Sequence, residues 1–144
     1  MQVFDNKKFQ KSVQKTLKGI LDMLPILAGV ILLVSMINVL IPKSFYQKLF
    51  TGNSIKDSVI GSMLGSILTG NPITAYILGN DFIKNGVGIT AVAAFIVAWT
   101  TVGIVQLPAE SLMLGKRFAL YRNLTAFLLS VLVAIISTSI LSYI

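Results

Sequence analysis

The chain has 144 residues, of which 55% are hydrophobic and 12% are charged, with a formal net charge of +7 and a mean hydropathy of +0.84. Ordinary soluble domains carry about 25% charged residues, and a domain of this size keeps much of its surface in water, so a soluble globular protein is not expected. The chain has no cysteine, no histidine and five acidic residues, which leaves few groups for general-base or metal chemistry. We therefore predict no enzymatic activity, no catalytic residue, no bound metal and no cofactor.

Four uncharged runs divide the sequence. They cover residues 23–42, 58–80, 85–109 and 123–144, and contain 20, 23, 25 and 22 residues. Each is long enough for the roughly 20 helical residues that cross a bilayer. The spacing predicts an all-α membrane protein with about four transmembrane segments. We expect a multi-pass protein of the cell membrane, with membrane lipid as a partner and no nucleic acid.

Residues 1–18 have the pattern of a basic amphipathic helix. Phe9, Val13 and Leu17 recur every four residues, and five lysines fill other positions. Such a helix lies in the headgroup layer, where it would hold the N-terminus in the cytoplasm; recognition of a lipid or a partner is the alternative. No small-x-small cleavage pattern follows, so we expect the segment to be retained. The predicted organisation is this interfacial helix followed by a single transmembrane domain over 19–144.

The next elements are a first span over about 19–41, ended by Pro42, and a connector over 43–57 that contains a short interfacial helix. The second uncharged run then opens with small residues at spacings of three and four, including Gly61-x-x-x-Gly65. In lipid, a face of small residues permits close contact between helix backbones. This pattern indicates a buried helix contact rather than a ligand site.

The sequence Thr69-Gly70-Asn71-Pro72 stands in the middle of that run. Proline removes a backbone donor and pushes the preceding residue out of the helical region, and Asn71 can cap a helix that begins near Pro72. Lipid cannot hydrogen-bond the freed backbone groups, so a break is tolerated only where protein or a water-filled cavity satisfies them. We predict an interrupted helix near 70–72 whose amides face a ligand; a simple proline kink is the alternative.

A second interruption is predicted near 103–108, within the apolar segment 86–113. Gln106 and Pro108 follow a glycine there, and Glu110 has apolar neighbours on its C-terminal side. Intramembrane polar residues usually face a bundle interior or a cavity. The alternative places Glu110 at the interface, paired with one of three basic residues, Lys116, Arg117 and Arg122. Two interrupted helices are a sequence indicator of a transporter core.

Two sequence blocks within residues 58–140 also resemble a known family. They are GNPITAYILG and AWTTVGIVQLPAESLMLGKRFALYRN, and they resemble the small members of the predicted permease family that includes the organoarsenical exporters. Larger members look like two fused halves, of which this chain resembles one, and the resemblance implies permease activity through a pore made by pairing two halves. By position, the two polar breaks of the family correspond to Thr69, Asn71 and Pro72 and to Gln106, Pro108 and Glu110. Larger members often have cysteine in the first break; its absence here argues against a thiol-based arsenic or soft-metal site.

The basic residues leave the topology open. If all four segments cross once, each side has six Lys and Arg residues, and the positive-inside rule gives no orientation. If 58–83 is instead a re-entrant hairpin bent at 70–72, the cytoplasm has eight and the outside four, although halves of about 12 residues are too short to span. One chain is too small to enclose a pathway, so we expect a homodimer or pairing with a related half, parallel or antiparallel.

Our first functional hypothesis is a half-size permease that assembles as a dimer and transports a small solute or ion through a site at the interrupted helices. The predicted substrate-binding residues are Thr69, Asn71, Pro72, Thr74, Thr100, Thr101, Gln106 and Glu110. In this hypothesis Thr69, Asn71 and the amides after Pro72 bind the substrate, and Glu110 carries a proton or a cation. The second hypothesis is a non-transporting membrane scaffold, or an accessory subunit of a larger permease complex, assembled through the small-residue face and the N-terminal helix.

Overall fold

The computed structural model describes residues 6–40, 42–68 and 71–143, which form helices and turns and no strand. This confirms the all-helical prediction. The helices of the described residues are α1 (Asn6–Leu40), α2 (Lys43–Leu49), α3 (Ser54–Ile67), α4 (Pro72–Lys84), α5 (Ile89–Thr101), α6 (Leu107–Leu114) and α7 (Lys116–Leu141). They belong to two compact units, Met1–Val39 and Leu40–Ile144.

Two of the described helices are long and apolar enough to cross a membrane. One is the Phe9–Met36 part of α1, and the other is the whole of α7. Helix α1 runs without interruption through Pro25 for 35 residues, so it includes both the predicted interfacial helix and the first predicted span. By contrast, α3, α4 and α5 have 14, 13 and 13 residues. They are each about 20 Å long, short of the roughly 30 Å of hydrocarbon in a bilayer.

Within Leu40–Ile144, α3 and α5 lie side by side because two glycines let their backbones touch. A Cβ atom added to Gly61 would lie 2.1 Å from the carbonyl oxygen of Ala91, and one added to Gly65 would lie 2.3 Å from that of Phe95. Any residue with a side chain would therefore push α5 away. This confirms the close helix contact predicted from the two glycines. The contact positions advance together along both helices, so α3 and α5 are parallel.

Helix α4 runs in the opposite direction along α5. A four-residue link, 85–88, joins the two helices, and such short links connect antiparallel neighbours. The contacts agree, because Gly79 lies against Val92, whereas Ala75, one turn earlier, shares a core cluster with Trp99. Since α3 is parallel to α5 and α4 is antiparallel to it, the chain reverses between α3 and α4. These two helices form a hairpin.

Helix α7 is antiparallel to α5. The hydroxyl oxygens of Thr90 and Thr138 lie 3.1 Å apart, and the amide of Gly103 donates to Oδ1 of Asn123 at 2.8 Å. A buried hydrogen bond between the hydroxyls of Ser62 and Ser130, 2.9 Å long, joins α3 to α7. The bundle thus has two ends. We call the end that contains Leu68, Asn71 and the segments 102–106 and 115–123 the tip end, and the opposite end the base end.

Aromatic side chains connect the base end to the middle of the bundle. The rings of Tyr46 and Phe82 have centroids 6.1 Å apart, those of Phe82 and Phe95 5.1 Å, and those of Phe95 and Trp99 5.4 Å. Offset and edge-to-face pairs at such distances stabilise a core beyond their buried area. Burial, and secondarily the negative charge of Asp81, raises the pKa of the Tyr46 hydroxyl, which therefore remains protonated at neutral pH.

The substitution Gly65→Ala tests the contact between α3 and α5. The new methyl group would collide with backbone atoms that belong to Phe95 and Trp99, so we expect a loss of about 1–3 kcal/mol of stability, typical of overpacking. Thermal unfolding followed by the fluorescence of Trp99, the single tryptophan, measures it. The matched control is Gly29→Ala in α1, where a Cβ meets nothing within 4 Å; equal melting temperatures for the two variants would contradict this packing.

Labelling of single cysteines tests the reversal between α3 and α4. In the cysteine-free chain, Lys56→Cys and Lys84→Cys should react with an impermeant maleimide from the same side of sealed vesicles, because the hairpin returns the chain to the base end. Arg117→Cys at the tip end should react only from the other side. Labelling of the Lys56→Cys and Lys84→Cys variants from opposite sides would show instead that the segment crosses once.

Candidate functional site

The first predicted site segment lies at the turn of the hairpin. Helix α4 begins at Pro72, and Asn71 precedes it as the N-cap, with its Oδ1 accepting the amide of Ile73 at 2.9 Å. The sequence prediction that Asn71 caps this helix is confirmed. Asn71 and Thr74 are half-buried and Pro72 is exposed. Thr69 lies outside the described residues.

The second predicted site segment joins α5 to α6. The hydroxyls of Thr100 and Thr101 are exposed and donate to carbonyl oxygens one turn earlier in α5, including a 2.7 Å bond from Thr101 to Val97. The exposed side chain of Gln106 folds back over Gly103. A Cβ atom added to that glycine would lie only 2.8 Å from Oε1 of Gln106. Three of the predicted site residues therefore stand on one short segment, and each side chain lies against the backbone of its own chain neighbours.

Asn123 connects this segment to α6 and α7. Its Oδ1 accepts the amide of Gly103 at 2.8 Å, while its Nδ2 donates to Oε2 of Glu110 at 3.1 Å and to the carbonyl of Ala119 at 3.0 Å. Asn123 is only 5% exposed, so these bonds are shielded from solvent. A single amide side chain thus satisfies the backbone donor that the end of α5 leaves free and positions the carboxylate of Glu110.

Glu110 is also bound by Arg122. The Nη1 atom of Arg122 lies 2.5 Å from Oε1 of Glu110, and the side chains of the two residues are 40% and 18% exposed. The carboxylate therefore has a cation on one oxygen and an amide donor on the other. This confirms one part of the alternative interpretation of the sequence, the pairing of Glu110 with a nearby basic residue. We call Gly103, Glu110, Arg122 and Asn123 the tip-end network.

The sequence interpretation missed Asn123 as a member of a site and named Arg122 only as one of three possible partners of Glu110. It placed Asn123 at the end of the basic loop 115–123, before a plain final span over 124–144, although two hydrogen-bonding residues in a row at the end of that loop were the available signal. Polar residues at the first turn of an uncharged run usually mark only the membrane interface. The amide of Gly103 that Asn123 binds lies 20 residues earlier, and sequence spacing does not reveal that contact.

An apolar cavity of about 480 Å³ lies beside the tip-end network. The last turn of α3 lines it through Ser66 and Ile67, and the second break lines it through Val102 and Ile104, with Asn123 on the third side. The cavity thus brings the end of the hairpin's first helix and the second break to one space. None of the predicted site residues that the structure describes lines it, and its walls suit an apolar group better than an ion.

Comparison with known families assigns the chain to one of them. Residues 9–142 match the family ArsP_1, whose description is "Predicted permease". The chain belongs to this family. No significant match was found among curated proteins or among solved structures. Family membership confirms the resemblance drawn from the two sequence blocks, and it indicates a membrane transporter rather than an enzyme.

The substitution Asn123→Ala tests the tip-end network. It leaves the amide of Gly103 and one oxygen of Glu110 without a partner, which should cost about 1–3 kcal/mol of stability and speed hydrogen exchange in residues 102–106. Mass-spectrometric exchange and thermal unfolding measure the two effects. The control is Thr125→Ala on the same helix, an exposed hydroxyl bonded only to carbonyls of its own helix. Unchanged exchange at 102–106 in the Asn123→Ala variant would contradict the assigned role.

Proposed function

We propose that this chain is a half-size permease, two copies of which transport a small solute or ion through a site formed at the interrupted helices. Membership of the permease family supports transport. The observation that supports the location is that the hairpin turn and the second break share the tip end of the bundle. Backbone that leaves helical geometry inside a membrane is tolerated where it lines a cavity or is buried in protein. Transporters place their binding sites at such discontinuous helices.

The proposed topology has three crossings and one re-entrant hairpin, and the 13 residues of α5 would complete their crossing together with the segments on either side of that helix. The opposite directions of α3 and α4 favour the hairpin over four single crossings. With that hairpin, eight basic residues fall on one side of the membrane: Lys7, Lys8, Lys11, Lys15, Lys18, Lys116, Arg117 and Arg122. The other side has Lys43, Lys48, Lys56 and Lys84. The positive-inside rule then puts the tip end toward the cytoplasm.

The proposed site consists of residues from both breaks, which have different roles. At the hairpin turn, Thr69, Asn71, Thr74 and the first amides after Pro72 would bind the substrate, because a helix N-terminus presents free donors and a partial positive charge. At the second break, Thr100, Thr101 and Gln106 would supply further polar contacts. Glu110 would exchange its bond to Arg122 for a proton or a cation during transport.

The accessory-subunit hypothesis has less support. It relied on two surfaces for assembly with other proteins, the small-residue face around Gly61 and Gly65 and the basic N-terminal helix. That face is already covered by α5 of the same chain, so it offers no free docking surface.

Flux through proteoliposomes tests the proposed function. A panel of small neutral and anionic solutes, screened by osmotic swelling of liposomes containing the full chain, identifies a solute that moves. Asn71→Ala and Glu110→Gln should each lower its flux at least about tenfold, while the mass of the assembly in lipid nanodiscs stays that of a dimer. Thr125→Ala serves as the control with normal flux. Normal flux in both site variants would contradict the proposed substrate site. A monomer that still transports would contradict the proposal that two copies are needed.

A further inference from the structure

We propose that the outer face of α4 is the contact between two parallel copies of this chain. This inference rests on the proposed dimer and specifies which surface forms it. The face consists of Ile73, Tyr76, Asn80 and Ile83, which we call the α4 seam. The opposite side of α4 contains the buried Ala75 and Gly79, which pack on α5.

The spacing of the α4 seam is that of a helix-pairing surface. Its residues follow one another at intervals of three, four and three, the a and d positions of a heptad repeat. All four side chains are exposed, with Ile73, Tyr76 and Ile83 at 43%, 62% and 48%. The neighbouring helices of Leu40–Ile144 thus leave a complete heptad-spaced stripe uncovered on a helix that packs mainly against one partner.

Two polar groups on the α4 seam are left without a partner among the described residues of one copy. The amide of Asn80 and the hydroxyl of Tyr76 make no hydrogen bond to other described residues, and each interrupts an otherwise apolar stripe. An asparagine that meets another asparagine across a pair of membrane helices stabilises their association, so a second copy would supply the missing partner of Asn80. A single asparagine at an a position also fixes the register and the number of helices in a pair.

In the proposed dimer, the distribution of basic residues gives the second copy the same orientation as the first. In the hairpin topology eight basic residues stand on one side and four on the other, so every copy inserts the same way. A two-fold axis along the membrane normal then brings each seam residue opposite its own equivalent at the same depth. Asn80 meets Asn80 of the second copy, with isoleucines on either side.

This arrangement places both hairpin turns next to the two-fold axis. Asn71 lies two residues before the first seam residue, Ile73, on the same helix end. Two copies joined along their α4 seams therefore present two capped helix N-termini to one central space. The proposed substrate site would be assembled from both copies, and neither copy would contain it alone.

Cross-linking in native membranes tests the α4 seam, since the chain has no cysteine of its own. The variants Ile73→Cys, Tyr76→Cys, Asn80→Cys and Ile83→Cys are made one at a time in the full chain and treated with a short bismaleimide. We expect each variant to cross-link to its own equivalent. Leu128→Cys and Leu132→Cys, equally exposed positions on α7, should remain monomeric on denaturing gels.

Mixed pairs exclude the other occupants. Ile73→Cys co-expressed with Ile83→Cys should give no cross-link between the two chains; such a product would mean antiparallel copies and would overturn the proposal. A cross-link within one chain between the double substitutions Tyr76→Cys and Leu32→Cys would mean that α1 covers the seam, which also overturns it. If nanodisc masses show a dimer but no seam variant cross-links, the seam is wrong while the proposed permease stands.

The contribution of Asn80 is measured by the dimer dissociation constant in detergent. Asn80→Leu should raise that constant about 3- to 30-fold, the range for one interhelical polar contact in a membrane. Asn80→Gln keeps an amide and should remain within about twofold of the native chain. Equal dissociation constants for the native chain and the Asn80→Leu variant would overturn the assignment of Asn80 to the contact.

Discussion

In a lipid bilayer, the backbone N–H and C=O groups that a helix end leaves free find no hydrogen-bond partner in the solvent. A membrane protein must therefore supply those partners itself. Each break in the bundle provides its own partner. At the hairpin turn the side chain of Asn71 accepts an amide of the first turn of α4, and Leu68 donates back to Leu64 at the end of α3. At the second break the amide of Gly103 is bound by Asn123 from another helix. The first solution is local, and the second depends on tertiary structure.

That difference gives the two breaks different mechanical character. A cap made by the adjacent residue travels with its helix, so α4 can move without losing it. The second break is held by Asn123 of α7, so the amide of Gly103 becomes free only when that side chain moves or α7 leaves the end of α5. Hydrogen bonds shielded from water are expensive to leave unmade. The second break is therefore harder to rearrange than the hairpin turn. If it opens, another hydrogen-bond acceptor must take the place of Asn123 at the amide of Gly103.

Local features of this fold could be predicted from the sequence, whereas the directions in which successive helices run could not. Proline and asparagine at 71–72 sufficed to end one helix and cap the next, and the glycines at 61 and 65 sufficed to predict a close contact. The same four residues at 69–72 are compatible with a kinked helix, with a chain that continues across the membrane or with one that turns back. A break in a helix does not determine the direction of the next helix. The direction is set by contacts far along the chain, such as Gly61 with Ala91 and Gly79 with Val92. Likewise, the composition changes after residue 18, yet α1 continues through the glycine at position 19 to Leu40, because a single glycine weakens a helix without ending it.

The pairing of Glu110 with Arg122 has a consequence for electrical selectivity. An arginine side chain keeps its positive charge at any physiological pH, so the charge balance of this pair can change only through the carboxylate. While the pair is intact, the joint is electrically neutral. Loss of the Glu110 charge, as in Glu110→Gln, would leave the positive charge of Arg122, whose side chain is 40% exposed, without its partner. In the proposed permease, separation of this pair would therefore make the second break favour anions over cations.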